Sequence, residues 1–564
     1  MSNTYDYYEK RLKVTTEVIS VEQALERAGN GHNYQKRVIF YTFLQISFIT
    51  FLILSNQVLF PSFDIQCSST SNQTLIFRKE KYCSSNLTDL FNISKPNISN
   101  IDTNFENENV TSQNYTCNIK SKNASITHSV SESFSLFCSK EKFANYNSYH
   151  LKFLSWGIGF FISAYLQNIS GRLQILKKSL FCTAIFSLLL VFSFNIIMFT
   201  VFYFLLNVCA ASFILTSFIY ISEITSQNLR PISIFLLLMS FGTGPIALSF
   251  LNNFFTYWRI IALLATCLPI LLLFIYMRIM VDSPRFLNVA KNFRDAKIAL
   301  SNMALINDRT NEMPKDREFK FEEEVKSQEM QENLAKILKI EEINTKPNEH
   351  GFMSLFTYNS VRVRTFIFIY FWAVFSIGYS ASFFMMNNLI ENVLVNTAIL
   401  GCLKIVGFLV GGYLILNVLR KVILKNILLV EGLINILFVI VVYTDPNEFT
   451  KFQRTIFNLL IFISQIIFDA GFCLLIIYTI EVYPTVIRHF GLGFFLGIAT
   501  LSSLLANILI FMVKINGVGL MILVGFLCLL GIGIMNKLRE TYDLGLKENL
   551  VEEEEALLNN DIMN

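Results

Sequence analysis

The chain has 564 residues, 53% of them hydrophobic, 14% aromatic and 16% charged, with mean hydropathy +0.48 and a net charge of +4. Soluble domains carry about 25% charged residues, so the balance excludes an ordinary soluble enzyme or nucleic-acid binder and points to a polytopic membrane protein. The net charge decides little, because what orients a membrane chain is where its lysines and arginines fall.

Residues 1–37 are polar and of mixed charge, too long a lead for a cleavable signal, and are expected to form a cytoplasmic N-terminal segment. A bilayer crossing takes roughly 20 apolar residues. About twelve such runs follow, near 38–60, 151–167, 179–194, 196–221, 232–254, 259–280, 364–386, 394–416, 424–443, 455–479, 490–513 and 516–536. The first reads as a signal anchor; Ser193-Phe194-Asn195 offers the turn that separates the third from the fourth. Residues 61–149 hold Cys67, Cys83, Cys117 and Cys138 and seven N-x-S/T sequons, at Asn72, Asn86, Asn92, Asn97, Asn109, Asn114 and Asn123. Sequons accept glycans on the luminal or outer side, where cysteines also oxidise. This segment is therefore expected to be an outer loop stapled by disulfides, in one of the three connectivities that four cysteines allow. Lys36 and Arg37, then Arg172, Lys177 and Lys178, then Arg420, Lys421 and Lys425, and finally Lys537 and Arg539 fall on the opposite side. Both termini are thus expected in the cytoplasm.

Residues 281–361 form a polar, charged linker, with Glu322-Glu323-Glu324 and the stretch Gln328 to Glu342 at helical spacing. Its helices are expected to cap the bundles. Six runs, a linker and six runs give an all-α fold of twelve transmembrane helices, in bundles over 38–280 and 362–536 that rock about a central site. The tail, 537–564, is acidic, and its Glu553-Glu554-Glu555-Ala556-Leu557-Leu558 fits an acidic dileucine sorting pattern. There is no phosphate loop and no cysteine or histidine metal cluster, and the chain has five histidines in all. No catalytic residue, metal or cofactor is expected, and no enzyme.

Short charged loops join the runs. Glu481 and Arg488 flank Pro484, which stops a helix at the membrane surface; Glu223 and Arg230 stand at the matching place in the first half, and Asp282 with Arg285 follows the sixth run. Each acid is expected to pair with its arginine or with a neighbouring helix end, as weak surface latches of roughly 0–1 kcal/mol that open and close in each cycle. With Val21-Glu22-Gln23-Ala24-Leu25, the cysteine-bearing loop, Ser222-Glu223, Trp258-Arg259, Asp282-Ser283-Pro284-Arg285-Phe286-Leu287 and Val361-Arg362-Val363-Arg364-Thr365, the layout resembles the organic cation, anion and zwitterion transporter family of the major facilitator superfamily. That family usually ends its second span in Asp-Arg-x-Gly-Arg. Here the stretch reads Asn168-Ile169-Ser170-Gly171-Arg172, so Arg172 alone remains and the inner gate of the first half is expected to be loosened or rebuilt.

A charge at the bilayer centre costs about 2.5–3.5 kcal/mol, and scanning the runs leaves Lys404 and Asp469, with Glu431 nearer the cytoplasmic side. Gly401, Gly407 and Gly411 flank Lys404 and permit close helix approach; Gln465 and Cys473 share the Asp469 face. A Lys404–Asp469 pair lining the second-half cavity is expected, with a static structural pair as the alternative. Trp372, Ser376 and Tyr379 lie on the seventh run, and the resemblance implies that its aromatic positions line the substrate cavity, where rings hold cationic or flat ligands. The family's cation carriers place acids, and its anion carriers an arginine, at positions that here read Lys404 and Thr500, so substrate charge stays open.

The function so implied is secondary-active or facilitative transport of small organic ions, with or without a coupling ion, by a monomer in the bilayer. The plasma membrane is the expected site, an endosomal or lysosomal membrane the alternative. Gln45, Asn56 and Gln57 keep a sugar carrier as a rival; a non-transporting receptor on a carrier fold is another.

Overall fold

Helix ends in this chain fall where side chains satisfy the backbone groups that a helix leaves unpaired. The computed structural model describes residues 17–53, 63–69, 74–77, 115–121, 130–134, 139–252, 254–255, 257–314, 319–329, 351–387, 392–443, 451–511 and 517–542. A short helix α1 (Val21–Arg27) opens on a capping box between Ser20 and Gln23. The first half continues with α2 (Asn33–Ile53), α3 (Ser139–Ser170), α4 (Arg172–Val191), α5 (Ile196–Ile224), α6 (Arg230–Leu251) and α7 (Trp258–Ile279). Asn195 caps α5 by accepting from the Met198 N–H at 2.7 Å, so the turn before it does divide two helices. Between the halves lie α8 (Pro284–Val289), α9 (Phe293–Ile306) and α10 (Ser354–Thr357). Ser283 caps α8, and Pro284 stands just inside it, where a missing N–H costs nothing.

The second half is α11 (Asn359–Asn387), α12 (Val393–Asn417), α13 (Arg420–Tyr443), α14 (Lys451–Val482), α15 (Thr485–Phe511) and α16 (Gly517–Ile534). Pro484 stands between α14 and α15, and its carbonyl accepts the Arg488 N–H at 2.8 Å to start the next helix. Among the described residues, twelve helices of at least 18 residues lie on the twelve apolar runs, and nine are long and apolar enough to cross a membrane. The other three are α2, α3 and α13. Helix α3 begins at Ser139, well before the run at 151, so its first turns occupy what the sequence reads as outer loop.

That loop also forms a three-stranded antiparallel sheet. With β1 as Glu17–Ile19, the strands are β2 (Phe63–Ser69), β3 (Thr74–Phe77) and β4 (Tyr115–Ser121), in the order β3-β2-β4. Its register sets Cys67 opposite Cys117. Cys83, Cys138, the seven sequons, most of Gln328 to Glu342 and the acidic tail from 543 lie outside the described residues.

Two helix pairs make most of the contact between the halves, α3 with α15 and α6 with α12. The second is possible because Gly242 and Gly401 face each other: a Cβ on either would stand 2.5–2.6 Å from the other's carbonyl oxygen. A cap closes the end of the first half that carries α1, α8 and α9. Strand β1 pairs in parallel with β5 (Phe319–Phe321) of the linker. The Asn307 amide donates to the Ala28 and Gly29 carbonyls at 2.8 and 2.9 Å, and its oxygen accepts the Tyr34 N–H at 2.8 Å. Gly29 takes φ +93° against the Asn307 side chain, a left-handed turn that a Cβ would strain.

Glu22 fastens this cap to the helices. Its carboxylate bonds Arg285, accepts the Gln227 N–H at 2.5 Å and lies 3.8 Å from Arg230. Burial pushes the Glu22 carboxyl up, but Arg285, Arg230 and the Gln227 N–H together outweigh it and hold the group below the usual glutamate value of 4.5. A carboxylate so depressed contributes stability that is full above the unfolded value and lost as pH falls through the folded one; here the loss lies wholly below about pH 4.5.

Two outcomes are expected. Opposite residues of an antiparallel pair have Cα atoms about 4.5–5.5 Å apart, inside the reach of a disulfide. Non-reducing peptide mapping should therefore recover Cys67 joined to Cys117, and a Cys67–Cys83 or Cys67–Cys138 peptide would refute this. Replacing Glu22 by Gln leaves Arg285 and Arg230 without their acid, at a cost of about 3 kcal/mol. Hydrogen exchange at neutral pH should then speed up across residues 17–30; unchanged protection there would show that the carboxylate does not hold the cap.

Candidate functional site

A lysine and an aspartate in the middle of apolar helices need each other, and the backbone is shaped to bring them together. A Cβ at Gly407 would lie 2.6 Å from the Asp469 Cβ, and one at Gly411 3.0 Å from the Ala470 Cα, so glycine lets α12 press on α14. This approach sets Lys404 Nζ 3.5 Å from Asp469 Oδ1. The ammonium also donates to the Tyr379 hydroxyl and stands 4.5 Å from the centre of that ring. One turn before Asp469, the Gln465 amide donates to Oδ2 at 3.2 Å. Both carboxylate oxygens are thereby occupied.

Lys404, Asp469, Tyr379 and Ser376 all face a cavity of about 450 Å³ between the halves. The second half also contributes Ser380, Phe472 and Thr500; the first half contributes Lys152 and Trp156 of α3 across from them. Ser376 lines the wall with its hydroxyl already committed to the Ala499 carbonyl at 2.5 Å and to Ser503 at 2.7 Å. Two expectations are corrected. Trp372 is fully buried behind the wall: Phe472 packs 5.9 Å from it and its indole N–H meets the Thr479 hydroxyl at 3.3 Å. Gln465 is likewise buried, and positions Asp469 rather than facing the cavity. Glu431 sits off the cavity, bonded by Ser464 at 2.5 Å and Asn435 at 3.2 Å.

Lys152 is the functional candidate that the sequence reading missed. It stands at the edge of an apolar run, where a charge passes for a boundary marker. The available signal was its phase: Lys152, Trp156 and Phe160 recur every four residues on one helix face, and all three line the cavity.

The latches form with different partners from those expected. Arg172, not Arg230, pairs with Glu223, Nε to Oε1 at 3.1 Å. Arg420, not Arg488, pairs with Glu481 at 2.9 and 3.1 Å. Arg285 pairs with Glu22, and Asp282 makes no ion pair among the described residues; burial raises its carboxyl above the usual aspartate value. Local neighbours lose because successive turns at a helix end point apart, while the facing helix offers a side chain at the right height. The pairs are also buried, with side chains 3% and 0% exposed for Arg172–Glu223 and 6% and 7% for Arg420–Glu481. They are not the weak surface contacts inferred from sequence.

The two halves repeat this construction closely. Arg172 donates to the Gln167 carbonyl at 3.4 Å and Arg420 to the Ile415 carbonyl at 2.9 Å, each five residues back. Ser283 donates to Glu223 and Thr541 to Glu481, both at 2.6 Å. Phe286 lies 4.1 Å from the Arg172 guanidinium and Tyr542 4.8 Å from that of Arg420. Arg230 Nε donates to the Ser222 carbonyl at 3.1 Å and Arg488 Nε to that of Ile480 at 2.9 Å, each eight residues back. Arg172 also reaches His489 of the second half at 3.3 Å.

Two halves of long helices, facing each other over a cavity with an ion pair in its wall, define the class: a multi-pass membrane protein. Residues 153–507 match the family model of the Major Facilitator Superfamily, and the chain belongs to that superfamily. It is 25% identical over 356 residues to Solute carrier family 22 member 21 of Mus musculus, covering 63% of this chain and 59% of that protein. It is likewise 25% identical over 357 residues to Organic cation/carnitine transporter 2 of Mus musculus, again 63% of this chain and 59% of that protein. The chain thus spans about three fifths of the length of these relatives. Among solved structures it resembles the proton:xylose symporter XylE bound to 6-bromo-6-deoxy-D-glucose, with TM-score 0.56 and 14% identity over 93% of this chain and 99% of that one. At that identity the likeness is one of fold.

Removing one partner of a buried pair costs about 3–5 kcal/mol. Glu223→Gln and Glu481→Gln should therefore each lower the melting temperature of the purified protein by several degrees. The exchange Arg172→Glu with Glu223→Arg should recover part of the loss. A melting temperature unmoved by either single change would show that the pairs do not hold their helix ends.

Proposed function

We propose that the chain is a secondary-active or facilitative carrier that moves small organic ions across a membrane by alternating access. The observation that carries this reading is the Lys404–Asp469–Tyr379 centre facing a cavity walled by both halves. An ion entering from one side competes for one member of that pair, so binding and rearrangement are coupled at a single place. The names of the organic cation/carnitine relatives support a small organic ion as cargo. In this reading all twelve long helices cross the bilayer, both termini and the latches are cytoplasmic, and residues 61–149 lie outside. The carrier acts as a monomer, most naturally in the plasma membrane.

A sugar carrier draws little support from the cavity. A neutral polyol calls for several amide and hydroxyl groups facing it; the cavity offers Ser380, Thr500, Ser503 and Asn507, but sets two lysines and an aspartate beside them in a wall that is mostly apolar. Gln45 instead donates to the Pro269 carbonyl at 3.1 Å, buried within the first half, and Asn56 and Gln57 lie outside the described residues. A non-transporting receptor would be favoured if the shortened motif before Arg172 had cost the first half its latch. That arginine still makes its buried pair with Glu223, so the first-half latch is rebuilt, not lost.

The test is uptake into vesicles carrying the purified chain, across labelled organic cations, anions and zwitterions. Lys404→Ala and Asp469→Ala are each expected to cut uptake tenfold or more, since each leaves a charge without its partner. The exchange Lys404→Asp with Asp469→Lys should restore part of it. Binding without time-dependent accumulation would favour the receptor, and unchanged uptake in both single variants would remove the pair from the site.

A further inference from the structure

The charges around the cavity do not balance. Lys404 is answered by Asp469, the one carboxylate among the cavity's described lining residues. Lys152 faces the same space from the opposite half and makes no ion pair with any described residue. Its Nζ stands 5.8 Å from the Trp156 ring and 5.9 Å from that of Phe153. Such ring contacts steady an ammonium without cancelling its charge. Two lysines and one aspartate leave one positive charge over, in a space otherwise walled mainly by phenylalanine and aliphatic side chains.

The geometry points to a small organic monoanion as the substrate, its carboxylate or sulfonate on Lys152 and its flat or aliphatic body against the rings of Trp156, Phe160 and Phe472. This rests on the carrier reading above and gives it a substrate class. The competing charge types fit less well. A cation would add a second unanswered positive charge beside Lys152. A zwitterion would need a free carboxylate for its ammonium, yet the oxygens of Asp469 are held by Lys404 and by Gln465. A monoanion brings the total to neutral and relieves the repulsion between the two lysines, so the loaded cavity closes with less opposition than the empty one.

Three probes that share a phenyl body and differ in charge test this: 3-phenylpropanoate, phenylalanine and phenethylammonium. Uptake into proteoliposomes and equilibrium binding to the purified full chain are measured for each. Wild type should take up 3-phenylpropanoate at least about tenfold better than the other two. Lys152→Gln should lower that uptake about tenfold or more, mainly through KM, because a charge-assisted hydrogen bond is lost. Lys152→Arg should retain most of it, and thermal melting of both variants shows whether each is folded. Preference of wild type for phenylalanine or phenethylammonium, or indifference of 3-phenylpropanoate uptake to Lys152→Gln, would overturn the inference and leave the carrier reading standing. Lys152-dependent binding of 3-phenylpropanoate without accumulation would keep the anion site and remove the carrier. Absence of both binding and uptake for all three probes would also overturn it.

Discussion

A lysine buried in hydrocarbon has to be met by an acid, and the architecture of the second half follows from how α12 meets that demand. Asp469 can reach Lys404 only if α12 and α14 touch along their backbones, which Gly407 and Gly411 allow. One turn before Lys404, Gly401 makes the opposite contact, against Gly242 of the first half. A single helix therefore carries the ion pair on one face and the seam between halves on another. The cavity opens where those two faces diverge, which is why its charged groups lie beside the seam instead of deep within one bundle.

The latch end shows a second consequence of duplication. Glu223 and Glu481, Arg230 and Arg488, and Ser283 and Thr541 are all separated by 258 residues. In each half one arginine answers the glutamate, while the guanidinium of the other donates to carbonyls at the end of the preceding helix. Carbonyls there carry the negative end of the helix dipole and favour a cation. The two arginines thus do different work, one closing a pair between helices and the other locking a tight loop. This explains why the shortened motif before Arg172 is tolerated: the pair needs one guanidinium, and Arg172 supplies it.

Much of this was legible in the sequence because hydropathy reports burial in lipid directly. The places of the long helices, the turn at Asn195, the stop at Pro484 and the meeting of Lys404 with Asp469 follow from apolar length, capping chemistry and the cost of a buried charge, although nine of the twelve described long helices, not all, are apolar enough to cross a membrane. What stayed hidden depends on angular placement between helices. Glu223 stands seven residues from Arg230 in the chain yet bonds Arg172, because pairing across a helix interface is decided by facing and height, which no one-dimensional pattern records. Trp372 and Tyr379 share a helix face and both pack against Phe472, at 5.9 and 5.6 Å, yet only Tyr379 reaches the cavity wall. Lys152 was missed for the opposite reason: its helical phase was visible, but a charge at the edge of a run does not stand out as one at the bilayer centre does.

The energies of these contacts fall into two tiers, and the tiers account for how such a molecule can move. Within each half the buried arginine–glutamate pairs cost about 3–5 kcal/mol to break singly. Across the seam the polar contacts are single hydrogen bonds, such as Arg172 to His489 at 3.3 Å at the latch end and Ser249 to the Leu394 carbonyl at 2.8 Å at the other end. Each is worth about 0.5–1.5 kcal/mol net. The rings of Phe161, Phe352, Phe490 and Phe494, with centroids 4.9–6.5 Å apart, add contacts that can part and re-form without leaving a charge bare. Separating the halves at one end therefore costs less than deforming either half. The carrier motion proposed above would therefore be made most cheaply by rigid halves rocking at the Gly242–Gly401 crossing, close to the Lys404–Asp469 pair.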